Sequence, residues 1–134
     1  MTLLVPQVGE EKFLRHALNT TAPENQTLKL FATNITPAET DTAGTYTEAA
    51  GGGYAAIGLT GANWGYAGPS PTTATYNAQQ VFTFTGPLTT NPTIYGYFVV
   101  EATSGVLLWV EQSTPFTPAT NGDQYKITPK ITGD

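Results

Sequence analysis

"TIYGYFVVEATSGVLLWVEQ", Thr93 to Gln112, holds the densest apolar signal in this chain of 134 residues. Two apolar runs flank the short stretch Glu101 to Gly105, whose Ser-Gly ending favours a tight reversal. The stretch reads as a β-hairpin. Both runs are apolar at consecutive positions instead of alternating, so each strand is expected to be covered on both faces. That places the hairpin inside a sandwich or beneath another subunit.

The neighbouring segments supply its partners. "QVFTFTG", from Gln80, alternates strictly, with Phe82 and Phe84 opposed to Val81, Thr83 and Thr85. "QTLKLFAT", from Gln26, sets Leu28, Leu30 and Ala32 against Thr27, Lys29, Phe31 and Thr33, a strand with one well-buried face. "YAAIGLT" from Tyr54 and "QYKITPKIT" from Gln124 add short strands, and Asn121-Gly122-Asp123 reads as a turn. Between Gly61 and Thr75, "GANWGYAGPSPTTAT" is too rich in Gly and Pro for regular structure, so a long loop is expected there. Seven or eight strands at these spacings predict an all-β fold, a single-domain β-sandwich or jelly-roll-like architecture with long loops. Composition agrees, because Thr is the commonest residue and Gly and Pro number 14 and 10.

One helix is expected, over residues 9–18 in "GEEKFLRHALN". Glu10 and Glu11 at its start and Arg15 and His16 near its end suit the helix dipole. Phe13 with Ala17 and Leu14 with Leu18 are i, i+4 pairs on an apolar face, and Asn19 would stop the helix. Before it, residues 1–8 ("MTLLVPQV") form an apolar arm that would be sticky in water. It reads equally as a docking arm or as a first edge strand. The layout is one domain over residues 1–134, with arm 1–8, helix 9–18 and sandwich 26–132.

Ten acidic against five basic residues leave a net charge of -5, and the five cations form no patch that would neutralise a phosphate backbone. No segment approaches the roughly 20 apolar residues that cross a bilayer. The start lacks a basic n-region and its apolar run is short, which argues against a signal peptide, while a chain without cysteine is expected to be made in a cytosol. Cysteine is absent, which removes disulfides and thiol chemistry. Gly51-x-Gly53-x-x-Ala56 fits a loose dinucleotide fingerprint, but no clear strand precedes it and the sequence after it has no room for a helix. The glycines are expected to bend the backbone, packing closely under an aromatic side chain. His16 is the sole imidazole and Asp123 stands alone, so no metal site is expected. Glu101 and Glu111 fall at opposite ends of the hairpin and read as surface carboxylates, and no Gly-x-Ser-x-Gly elbow is present. The expectation is a protein without cofactor, metal or enzymatic activity.

Aromatic residues gather in and beside the long loop: Tyr54, Trp64, Tyr66 and Tyr76. Such rings can stack sugars, anchor a loop by folding back, or anchor an interface. Anchor or interface is favoured over the sugar platform. Three stretches carry a resemblance: "EAAGGGYAAIGL" with the later Trp64, "YGYFVVEATSGVLLWVEQ", and "NGDQYKITPKIT". Together they resemble small virion structural proteins of tailed bacteriophages, in particular the capsid decoration or cement proteins of environmental and cyanobacterial phages. The resemblance implies a cofactor-free β protein that binds the major capsid protein, self-associates on the shell, and resides on the outer capsid surface of the virion. The interface residues expected on this reading are Leu3, Leu4, Val5, Trp64, Tyr66 and Phe116. The rival expectation is a glycan- or receptor-binding module of a phage tail or fibre.

Overall fold

The computed structural model describes residues 3–89 and 91–133. It shows an all-β fold with one helix near the N-terminus. The strands are β1 (Leu3–Leu4), β2 (Gln26–Phe31), β3 (Ile57–Leu59), β4 (Trp64–Ala67), β5 (Thr72–Tyr76), β6 (Gln80–Thr83), β7 (Ile94–Glu101), β8 (Leu107–Phe116), β9 (Gln124–Ile127) and β10 (Lys130–Gly133). Helix α1 spans Gln7–Ala17.

β7 and β8 form the expected hairpin, and Gly105 closes its turn at φ +72°. They sit in an antiparallel sheet of order β1-β8-β7-β2-β3, so β7 is central. Between Val99 and Val100 the register slips: Val99 faces Trp109 and Val100 faces Leu107, which leaves Leu108 as the extra residue of a bulge. That is why Leu108 and Trp109, though consecutive, join the same core cluster. On this face Val99, Tyr97, Leu28 and Leu30 meet Tyr76, Phe82 and Ile127 from a second layer. The second layer is divided into a three-stranded sheet, β10-β5-β4, and a pair, β6-β9.

The opposite face of the central sheet is covered too. Phe31, Phe98, Val100, Leu107 and Val110 pack there with Tyr46, and Leu4, Val8 and Ile35 lie against them. Phe31 therefore departs from the single buried face expected of its strand. It is fully buried, because the segment carrying Tyr46 folds back over it, the two rings 4.9 Å apart.

Two further segments differ from expectation. The stretch Gly61 to Thr75 contains an antiparallel hairpin, with Trp64 opposite Tyr76 and Tyr66 opposite Ala74. Its Gly and Pro residues concentrate in the connection Gly68-Pro69-Ser70-Pro71, which leaves "WGYA" and the β-branched "TTATY" free to pair. The glycine run bends the chain as expected, at φ +80°, +58° and +77° for Gly51, Gly52 and Gly53, but it packs on backbone and threonines, not under an aromatic. The Thr85 amide donates to the Gly52 carbonyl at 2.8 Å, and a Cβ on Gly52 would lie 2.5 Å from the Gly86 carbonyl oxygen.

At the N-terminus the edge-strand reading holds for the described residues: Leu3 pairs with Glu111 and Leu4 with Val110. Met1 and Thr2 of the arm lie outside the described residues. Pro6 caps the helix, which begins two residues earlier than expected. Asn19 ends it in the left-handed conformation at φ +57°, with Thr20 N–H on the Arg15 carbonyl and Asn19 N–H on that of His16.

Candidate interaction surface

Helix α1 turns the other way from its apolar pattern. Leu14 and Leu18 are 63% and 73% exposed, and Phe13 is exposed as well. The inward face carries Val8, Gly9, Lys12 and His16 instead. Gly9 lets the helix lie directly on the bulge, because a Cβ there would stand 2.3 Å from the Leu108 carbonyl oxygen. Lys12 and His16 reach Glu101, the last residue of β7, which is 1% exposed and so is no surface carboxylate.

Around Glu101 the contacts are dense. Lys12 Nζ lies 3.3 Å from Oε2 and His16 Nε2 2.5 Å from Oε1, while the Ser104 hydroxyl donates to Oε2. Burial works to raise the Glu101 pKa, but the hydrogen bonds from Ser104, His16 and Lys12 outweigh it and hold the carboxyl below its ordinary value. The Glu24 carboxylate completes the junction by accepting the amides of Thr103 and Ser104. Ser104 donates to the carboxylate and not to the imidazole, and both ring nitrogens of His16 already face oxygen acceptors. The cluster binds a helix to a hairpin.

The outward side of the same helix borders an apolar groove of about 400 Å³. Val5 from the arm, Phe13 from α1, Tyr66 from β4, Ala74 from β5 and Ile131 from β10 line it, with Glu10 beside them. Its apolar character follows from strand periodicity. Tyr66 lies two residues from Trp64 and Ala74 two from Tyr76, so both point to the face whose other end is the core. The inner face of the three-stranded sheet thus runs out of the core into the open. Phe13 and Tyr66 are the exposed aromatic side chains among the described residues, and both line this groove.

The residues expected at an interface separate accordingly. Trp64 is half-buried, its ring edge-on to Tyr76 and Trp109 and its Nε1 donating to Gln26 Oε1 at 3.0 Å. Phe116 packs between Phe84 and Tyr125. Leu3, Leu4 and Val5 are half-buried against the two core clusters, with Val5 reaching the groove. Tyr66 is 75% exposed. Phe13, Leu14 and Leu18 were visible in the sequence as one apolar face; what the sequence did not show is that this face points outward.

Asp123 accepts the amides of Ala119 and Thr120 and the Thr120 hydroxyl, which hold its carboxyl below the ordinary value and fix the Asn121-Gly122-Asp123 turn. Among the described residues no three His, Cys, Asp or Glu side chains gather as metal ligands would, and no helix is long and apolar enough to cross a membrane. No family model matches the chain, and neither a curated protein nor a solved structure matches it.

Proposed function

We propose that this chain is a non-enzymatic protein-contact module, and that its setting is the virion of a tailed phage, where it decorates and reinforces the capsid shell. The observation that carries the contact role is the apolar groove with its two exposed aromatic side chains, continued by the exposed Leu14 of α1 and Leu18 at its C-cap. Exposed apolar surface concentrated on one side is what a partner surface would cover, and aromatic anchors are enriched where binding energy concentrates. The virion setting rests on the sequence resemblance. The partner it names is the major capsid protein, bound on the outer shell surface, with self-association on the shell. The glycan reading keeps only Tyr66 as a fully presented ring, since Trp64 is engaged in the core.

The test is copy number, by quantitative mass spectrometry of purified virions with the shell protein as internal standard. A number comparable to the shell protein, or a simple fraction of it, is expected. A few copies per particle would move the protein to the tail and favour the receptor-binding role. Absence from virions would overturn the setting. The contact role is tested separately by Phe13→Ser with Tyr66→Ser, which should lower occupancy on the particle while the domain stays folded.

A further inference from the structure

Helix α1 rests on the sheet through Val8 and Gly9 in its first turn, and further along it is fastened by charge, Lys12 and His16 meeting Glu101. His16 Nε2 lies 2.5 Å from Glu101 Oε1, and its Nδ1 lies 3.0 Å from the Thr21 carbonyl oxygen. A carbonyl only accepts, and an ionised carboxylate only accepts. Glu101 is kept ionised from its other side, where Oε2 takes the Lys12 ammonium and the Ser104 hydroxyl. A neutral imidazole has a single N–H and could serve one of these two acceptors, leaving a lone pair against the other. Only the imidazolium, with two N–H groups, satisfies both.

We infer that His16 is held as the imidazolium and that its contact with Glu101 is a protonation-dependent latch, which fastens α1 to the β7–β8 hairpin and loosens when the proton is lost. This goes beyond the contact role above and holds whatever the partner is.

The groups facing the latch are few. Lys12 approaches from α1 itself, and its charge opposes protonation of His16. Glu101 and Ser104 come from the hairpin, and the Thr21 carbonyl comes from the segment after the helix. Arg15 is turned away to Glu11 at 2.7 Å, and Glu24 is occupied by the hairpin amides. The Thr21 carbonyl raises the His16 pKa, burial opposes it, and the Glu101 hydrogen bond and charge add to the rise; the net direction is upward from 6.5.

A histidine with a raised folded-state pKa contributes stability that is whole below 6.5 and is lost as the pH climbs through the raised value. Glu101, with a lowered pKa, contributes stability that is present above 4.5 and is lost as the pH falls through the lowered value. The latch is therefore tightest in the mildly acidic interval between them, and it opens on the alkaline side through His16.

The chain has one histidine and no cysteine, so the His16 ring resonances are unambiguous and few other groups titrate near neutrality. NMR titration of the folded protein should place His16 above 6.5, and Glu101→Gln should bring it back down. Melting temperature should fall from pH 6.5 upward in the wild type by more than in His16→Gln, the α-amino group being common to both. Amide exchange should show protection falling in α1 over the same range while β7 holds. A ring titrating at or below 6.5 would overturn the latch, as would parallel pH profiles for wild type and His16→Gln. If Glu101→Gln fails to fold, the wild-type titration and His16→Gln decide alone.

Discussion

The β7–β8 hairpin and helix α1 are both apolar by pattern, yet the hairpin is enclosed on two faces while the helix shows its leucines to solvent. The exchange is reciprocal. Glu101, a carboxylate, is 1% exposed, and Leu18 is 73% exposed. Pattern determines which side chains share a face; the neighbours determine whether anything covers it. For the hairpin the neighbours are apolar layers. For the helix they are one buried carboxylate, a backbone bulge and the edge of an apolar cluster, and those select Lys12 and His16, Gly9, and Val8.

The largest effects should come from the hairpin side. Phe98 is buried on the face beneath Tyr46, the ring centroids 5.6 Å apart. Phe98→Ala should cost about 3–5 kcal/mol, measured by denaturant unfolding. A loss under ~1 kcal/mol would mean that this face is loosely packed and that the contrast with the helix is overstated. Next comes the glycine run. Gly52→Ala places a methyl 2.5 Å from a backbone oxygen at φ +58°, and should destabilise by ~2 kcal/mol or more. A neutral result would show that the segment Thr85–Thr89 yields easily.

Strand β4 contains the same contrast within two residues. Trp64 and Tyr66 point to one face, but Trp64 meets Trp109, with ring centroids 5.8 Å apart, whereas Tyr66 meets the open groove. Trp64→Ala should cost roughly 2 kcal/mol, less than a fully enclosed tryptophan. Tyr66→Ala should stay within about 0.5 kcal/mol. Equal losses would mean that the groove is filled in solution by the protein itself.

Much of this was legible in the sequence because it depends on local periodicity. The hairpin, the alternation around Phe82 and Phe84, the stop at Asn19 and the turn at Asn121-Gly122-Asp123 are all set by residues close in the chain. The pairing of "WGYA" with "TTATY" is obscured in the sequence by the overall density of Gly and Pro, although Gly68, Pro69 and Pro71 sit in the connection between the strands and only Gly65 lies within one of them. The burial of Glu101 is hidden for a different reason. Its partners Lys12 and His16 lie more than 80 residues earlier, and no local pattern announces a contact across that separation. The groove was equally hidden. Only the three-dimensional overhang of one sheet beyond another distinguishes Tyr66 from Trp64.

The smallest expected effect on stability is the sharpest test of the comparison. Leu14→Gln with Leu18→Gln removes the exposed leucines of α1 and its C-cap while keeping residues of similar helix propensity. Because neither side chain packs on the core clusters, the unfolding free energy should change by no more than about 0.5 kcal/mol. Self-association or occupancy on the partner should fall, since the apolar area offered to it is reduced. A stability loss above ~1 kcal/mol would mean that the helix does rest on its apolar face, and that the grip of Lys12 and His16 on Glu101 is not what holds it. Unchanged stability with unchanged association would leave the hold intact and remove the leucines from the contact, confining it to the groove between Phe13 and Tyr66.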